Sequence, residues 1–275
     1  VGMYALTANT TGANNVAIGY QALNANTTAA SNTALGYQAL LANTTGNGNT
    51  AVGAYALDTN TTGTYNTTIG YFAGEKITTG SNNVAIGRLA GGGIEAVSGC
   101  IAIGYNAISS NSANTGSGNE NIAIGDSSML YMEGTRNIAI GSDSLYTATT
   151  ADDNVAVGHQ ALYANTTGDQ NTAIGYKALD ANTTASYNVG VGVDALGKNT
   201  TGDANCAVGG FALEDNTTGA YNTGLGRNAL TNNSTASYNT AVGYDAMNVN
   251  TTGASNTAIG YNALKDNVGT NQNTA

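Results

Sequence analysis

The chain is 275 residues long, with 38 glycines, no proline or tryptophan, and 9% charged residues against the roughly 25% usual in soluble domains. Its 17 acidic and 7 basic residues leave a formal charge of −10, and the cations stand singly along the chain, which excludes the clustered Lys and Arg of a nucleic-acid partner. Two cysteines exclude a disulfide framework, and no apolar run approaches the roughly 18–20 residues of a membrane-spanning helix, so no membrane insertion by this segment is expected.

From the first residues onward one word recurs. A glycine follows an aliphatic residue at Gly2, Gly19, Gly36, Gly53, Gly70, Gly87 and Gly104, and again from Gly125 to Gly260. The spacing is 17 everywhere except for a step of 21 to Gly125 and one of 16 to Gly141. With the closing step included, sixteen repeats fill the 275 residues, and the lack of atypical capping repeats predicts a chain taken from a longer array. The consensus is N-T-A-I-G-Y-x-A-L-x-x-N-T-T-G-x-x, numbered here as positions 1 to 17. One array therefore covers 1–275, with regular coils over 1–71 and 154–275 and irregular coils over 72–153. Residues fit for backbone turns and core packing recur, while positions 7, 10, 11, 16 and 17 drift, as a scaffold requires.

A 17-residue unit is too short for a helix pair, and its glycines break any 3.6-residue period. T-A-I-G is expected to be a short strand and A-L-x-x-N a weaker second one, with turns at N-T-T-G and at the position-5 glycine (Gly19, Gly36, Gly175, Gly260). Two strands per repeat predict an all-β fold, one coil of a β-solenoid for each repeat. Alternation places the position-4 aliphatics, such as Ile18, Ile174 and Ile259, inside the coil with the position-9 leucines, and leaves an outer face of Ala and Gly (Ala173 and Gly175). That small-residue face is expected to meet a second chain, because one Ile and one Leu per coil bury little surface against the ordering cost of roughly 1–2 kcal/mol per residue. The position-1 asparagines, among them Asn15, Asn171 and Asn256, are expected to form an amide ladder from coil to coil.

N-T-T or its variant begins at Asn9, Asn26, Asn43, Asn60, Asn165, Asn182, Asn199, Asn216, Asn233 and Asn250. Each is a formal N-glycosylation acceptor, open to modification only on an exported chain, and also a turn that can stack hydroxyls. Stacked threonines also admit ice binding as a lesser alternative. In 72–153 the position-9 leucine becomes Gly74 and Gly91, a Gly91-Gly92-Gly93 run appears, and the four extra residues fall within 111–120. Asn111, Asn114, Asn119 and Glu120 mark this insertion as a candidate binding loop, since solenoids carry insertions on one face.

Little in the chain suggests chemistry. His159 is the only histidine and stands where tyrosine usually does, and Cys100 and Cys206 are six repeats apart. Gly224-Leu225-Gly226-Arg227-Asn228-Ala229 matches a dinucleotide fingerprint only because the repeat contains it. No catalytic residue, metal or cofactor is expected.

The N-x-A-I-G strand with its following turn resembles the head repeat of trimeric autotransporter adhesins. The longer word N-T-A-I-G-Y-x-A-L-x-x-N-T-T-G is similar to arrays in bacteriophage tail-fibre proteins. The resemblance covers all sixteen repeats, although the period is longer than is usual in adhesin heads. It implies a trimer of left-handed parallel β-rolls on an extracellular, cell-surface or virion fibre. Such a rod would act as a spacer and adhesive surface toward a cell-surface glycan or receptor. A self-assembling filament or surface-layer subunit is the alternative.

Overall fold

A computed structural model describes residues 1–109, 118–131 and 133–275. The chain is an all-β parallel β-solenoid with turns of about 17 residues, and no helix occurs among the described residues. It divides into two compact units, Val1–Arg136 and Asn137–Ala275. The first holds β1 (Val16–Ile18), β2 (Thr33–Leu35), β3 (Thr50–Val52), β4 (Thr67–Ile69), β5 (Val84–Ile86), β6 (Ile101–Ile103) and β7 (Ile122–Ile124), each parallel to the next. The second holds β8 (Ile138–Ile140), β9 (Val155–Val157), β10 (Thr172–Ile174), β11 (Val189–Val191), β12 (Cys206–Val208), β13 (Thr223–Leu225), β14 (Thr240–Val242) and β15 (Thr257–Ile259), in the same manner. Every strand is three residues long and occupies positions 2 to 4. Partners in the ladder lie one repeat apart, as Thr172 and Val189 do, and Ile101 still pairs with Ile122 across the 21-residue step.

The two faces of the strand are the reverse of the expected ones. Ala173, Ala178 and Leu179 are completely buried, while Ile174 is 41% exposed, and Ile18 and Ile259 also face outward. Interior volume decides this register, not hydrophobicity. A regular coil such as that of Asn171 already encloses a leucine and two asparagine side chains, so position 3 has room there for little more than a methyl group. At Gly190, which lacks even that, an added Cβ would stand 3.3 Å from Leu179 Cγ and 3.0 Å from the Ala195 carbonyl oxygen. The Ala face is therefore the core, and its side chains are not open to the second chain expected to meet them.

The second strand is absent as well. Positions 6 to 11 fold instead into consecutive turns, in which Lys177 and Leu179 take φ of 54° and 55°. Bulky residues rarely hold this left-handed conformation, which costs roughly 1–2 kcal/mol each. Bonds between coils hold it in place: Lys177 N–H donates to the His159 carbonyl at 3.1 Å, and Leu179 N–H to that of Ala195 at 3.0 Å. Position 17 behaves alike, with Tyr187 at 63° donating to the Asp169 carbonyl at 3.1 Å. The turns thus stack as a hydrogen-bonded ladder although they are not extended.

Asparagines line the interior in two rows. At position 1, Asn171 Oδ1 accepts the backbone N–H of Asn188 at 2.9 Å, and its Nδ2 donates to the Ala185 carbonyl in its own coil at 2.8 Å. Asn15 and Asn256 make the corresponding bonds. At position 12 the ladder runs amide to amide: Asn182 Nδ2 donates to Asn165 Oδ1 at 2.9 Å, and Asn199 Nδ2 to Asn182 Oδ1 at 3.2 Å. The threonine that follows donates both its N–H and its hydroxyl to the carbonyl one coil on, as Thr166 does to Thr183 at 2.8 and 2.9 Å.

Candidate functional site

With Ala inside, each unit turns positions 2 and 4 of its strands outward. Only Thr, Val, Ile, Leu and Cys206 occupy these positions in β1–β15, and none is charged. Ile69 in the first unit and Ile174 in the second are each 41% exposed, and position 2 is half-buried in most strands. The result in each unit is an uncharged parallel ladder of aliphatic and threonine side chains, repeated at the strand spacing of about 4.8 Å. Cys206 lies on this face, and partial burial raises its thiol above the usual value. Cys100 sits instead at position 1 inside the coil, where burial raises its thiol too.

A tyrosine row borders the face at position 6. Tyr20 and Tyr37 stack at 5.3 Å and Tyr244 and Tyr261 at 5.6 Å, and His159 joins the row by stacking on Tyr176 at 5.7 Å. These rings are partly exposed. The single histidine is thus a member of an aromatic stack.

The glycosylation acceptors lie elsewhere. From Asn26 to Asn60 and from Asn165 to Asn250 the position-12 side chains are fully buried, and Asn182 Nδ2 has both hydrogens engaged, on Asn165 Oδ1 and on the Ala185 carbonyl. A glycan on that nitrogen would break the ladder. Asn9 is half-buried, and its Nδ2 donates to the Gly12 carbonyl at 3.0 Å. The turn glycines Gly19, Gly36, Gly175 and Gly260 hold φ between 134° and 144°.

Of the candidate binding loop, Asn111 and Asn114 lie outside the described residues. Asn119 and Glu120 form a coil corner, where Asn119 Oδ1 accepts the Ser98 N–H at 2.9 Å, just as Asp203 serves Ser186 at 2.8 Å. The irregular coils also form a groove of about 280 Å³ on the turn side of the first unit. It runs over positions 6 to 11 of successive coils, with Tyr105 and Tyr131 on its walls. Gly92 opens it, standing at position 10 where Glu75 and Leu130 carry long side chains. The glycine run was the one sequence signal for this groove, and nothing marked Tyr131 or Leu130.

Next to the groove, Asp58 and Glu75 hold position 10 in consecutive coils. Burial first, and then repulsion from Glu75, push the Asp58 carboxyl up from 3.8 to about 6. The folded state therefore binds the Asp58 proton more tightly than the unfolded chain does. Its stabilising contribution is complete below the ordinary value and is lost as pH rises through 6. Solvent screens this half-buried group, so the loss is about 1 kcal/mol. Asp58→Asn is expected to gain about 1 kcal/mol in urea unfolding at about pH 7.5 and nothing at about pH 4.

Fold and surface together define a parallel β-solenoid with an uncharged outward strand ladder. No protein-family model and no curated protein matches the chain.

Proposed function

We propose that this chain is a non-enzymatic element of an extracellular or virion fibre, associating with copies of itself as a parallel, in-register homotrimer and serving as spacer and adhesive surface. The observation that carries this reading is the outward ladder of Thr and aliphatic residues, free of charge in both units. Exposed apolar patches of this regularity mark interaction surfaces. The occupant is a second copy, because such a copy repeats its side chains at the same interval of about 4.8 Å and matches every rung at once. A partner of another fold would match a few rungs only. The number three follows the resemblance to adhesin heads.

Cys206 on β12 supplies the test. In a parallel, in-register assembly the Cys206 thiols of different copies share one rung, whereas Cys100 is shut inside the coil. A short bismaleimide is expected to link two chains covalently on a denaturing gel, and Cys206→Ser to abolish the link. Sedimentation is expected to give three times the 27.4 kDa chain mass. A folded monomer at micromolar concentration, or a trimer whose Cys206 thiols fail to cross-link, overturns the proposal.

A further inference from the structure

We infer that the groove beside Gly92 is a binding site for a neutral saccharide, one or two rings long. The inference gives the adhesive part of the proposed function its ligand class, yet the groove stands apart from the strand face that carries assembly. Four features support it. Tyr105 and Tyr131 present ring surface, being 42% and 40% exposed. Leu89 and Leu130 add apolar wall. Glu75 and Lys76 bring opposite charges, and Asn106 and Ser109 bring an amide and a hydroxyl, so donors and acceptors line the groove in balance. Its volume of about 280 Å³ falls just below the roughly 300–1,000 Å³ range of small-molecule sites, which limits the ligand to a small one.

A sugar ring meets each of these terms. Its C–H face packs on an aromatic ring, and its hydroxyl edge both donates and accepts. An anionic ligand would gain from Lys76 and be repelled by Glu75, within a chain of net charge −10. A purely apolar ligand would leave the four polar side chains without exchange for their water.

The groove exists because Gly92 lacks a side chain. An added Cβ would meet Ser109 Oγ at 3.2 Å, and no left-handed φ constrains the residue. Tyr146 and Tyr163 occupy the same position in coils of the second unit, where they stack at 5.1 Å, so the coil accepts a tyrosine there. Gly92→Tyr is therefore a filling variant that keeps the fold, and Tyr131→Ala removes one wall.

The experiment is saturation-transfer NMR on the full chain with glucose, galactose, N-acetylglucosamine and glucuronate as probes, alongside sedimentation of each variant. At least one neutral sugar is expected to receive saturation from the parent protein. Affinity is expected to fall about tenfold in Tyr131→Ala, as for loss of one stacked ring, and to vanish in Gly92→Tyr. Sedimentation is expected to stay unchanged in both, which separates loss of the ligand from loss of assembly. Saturation of no neutral sugar, equal binding in the two variants, or preference for glucuronate overturns the inference.

Discussion

Gly175→Ala is expected to cost more than about 4 kcal/mol and to unravel the coils on either side. Gly175 has φ of 139°, in a region open to glycine alone, so the methyl group brings strain of about 1–3 kcal/mol. Steric overlap adds to this, since the new Cβ would lie 2.3 Å from the Gly192 carbonyl oxygen and 2.6 Å from its carbon. The chain cannot withdraw to relieve the contact. Gly175 N–H is bonded to the Val157 carbonyl at 2.8 Å, and the Gly175 oxygen lies where a Cβ on Gly158 would fall, at 2.4 Å. Position 5 is thus a column of backbones in contact, and one methyl group separates two coils. Gly210→Ala is the control: no left-handed φ holds it, and its nearest neighbour, the Val193 carbonyl oxygen, is 3.9 Å from an added Cβ. That change is expected to be neutral or stabilising by about 0.5 kcal/mol through the unfolded chain. Urea unfolding gives the totals, and hydrogen exchange of the β9, β10 and β11 amides locates the damage, because coils in a solenoid depend chiefly on their neighbours. A Gly175→Ala protein with parental unfolding and exchange would refute the column.

The parallel register was legible because it needs only a period, and 17 residues separate Thr172 from its partner Val189. The turn at Gly175 was legible for a similar reason, as one residue type suits it. Which strand face points inward was not. Hydropathy ranks Ile174 above Ala173, but the coil interior is crowded by Leu179, Asn171 and Asn182, and size outweighs hydropathy there. The left-handed backbone at Leu179 was hidden too, since leucine has no intrinsic preference for it and the bonds that impose it come from other coils. Asn182 offered two readings in sequence, corner and glycan acceptor, and its place in an amide ladder depends on the identical residue 17 positions away. The groove follows from what Gly92 lacks, and an absent side chain shows only against the repeat.

The same comparison explains the coil that begins at Asn66, where positions 3, 9 and 12 are Thr68, Gly74 and Ile77 instead of Ala, Leu and Asn. The three changes form one exchange. Gly74 vacates the leucine site, and Ile77, fully buried, reaches into it, its Cδ1 lying 3.0 Å from where a Cβ on Gly74 would be. Thr68 Cγ2 closes the remaining gap, 2.8 Å from the same point. The amide ladder ends here in consequence. Asn26 and Asn43 Oδ1 each accept from the next asparagine, at 3.2 and 2.8 Å, but Asn60 Oδ1 is buried with no partner. In a Thr68→Ala background, Ile77→Asn alone is expected to lose about 2–3 kcal/mol, since the cavity outweighs the bond restored to Asn60. Gly74→Leu alone is expected to lose about 1–3 kcal/mol by overfilling the site that Ile77 still occupies. Together they recreate the arrangement of Leu57 and Asn60, in which Leu57 already holds φ of 53°. The unpartnered oxygen then moves one coil on, to face Ile94, so the combined variant is expected within about 1 kcal/mol of its background. A urea-unfolding cycle should return a coupling energy of about 3–5 kcal/mol, large for neighbouring side chains. Additive losses in that cycle would mean that Gly74 and Ile77 drifted independently, and the coil would lose its description as a compensated exchange.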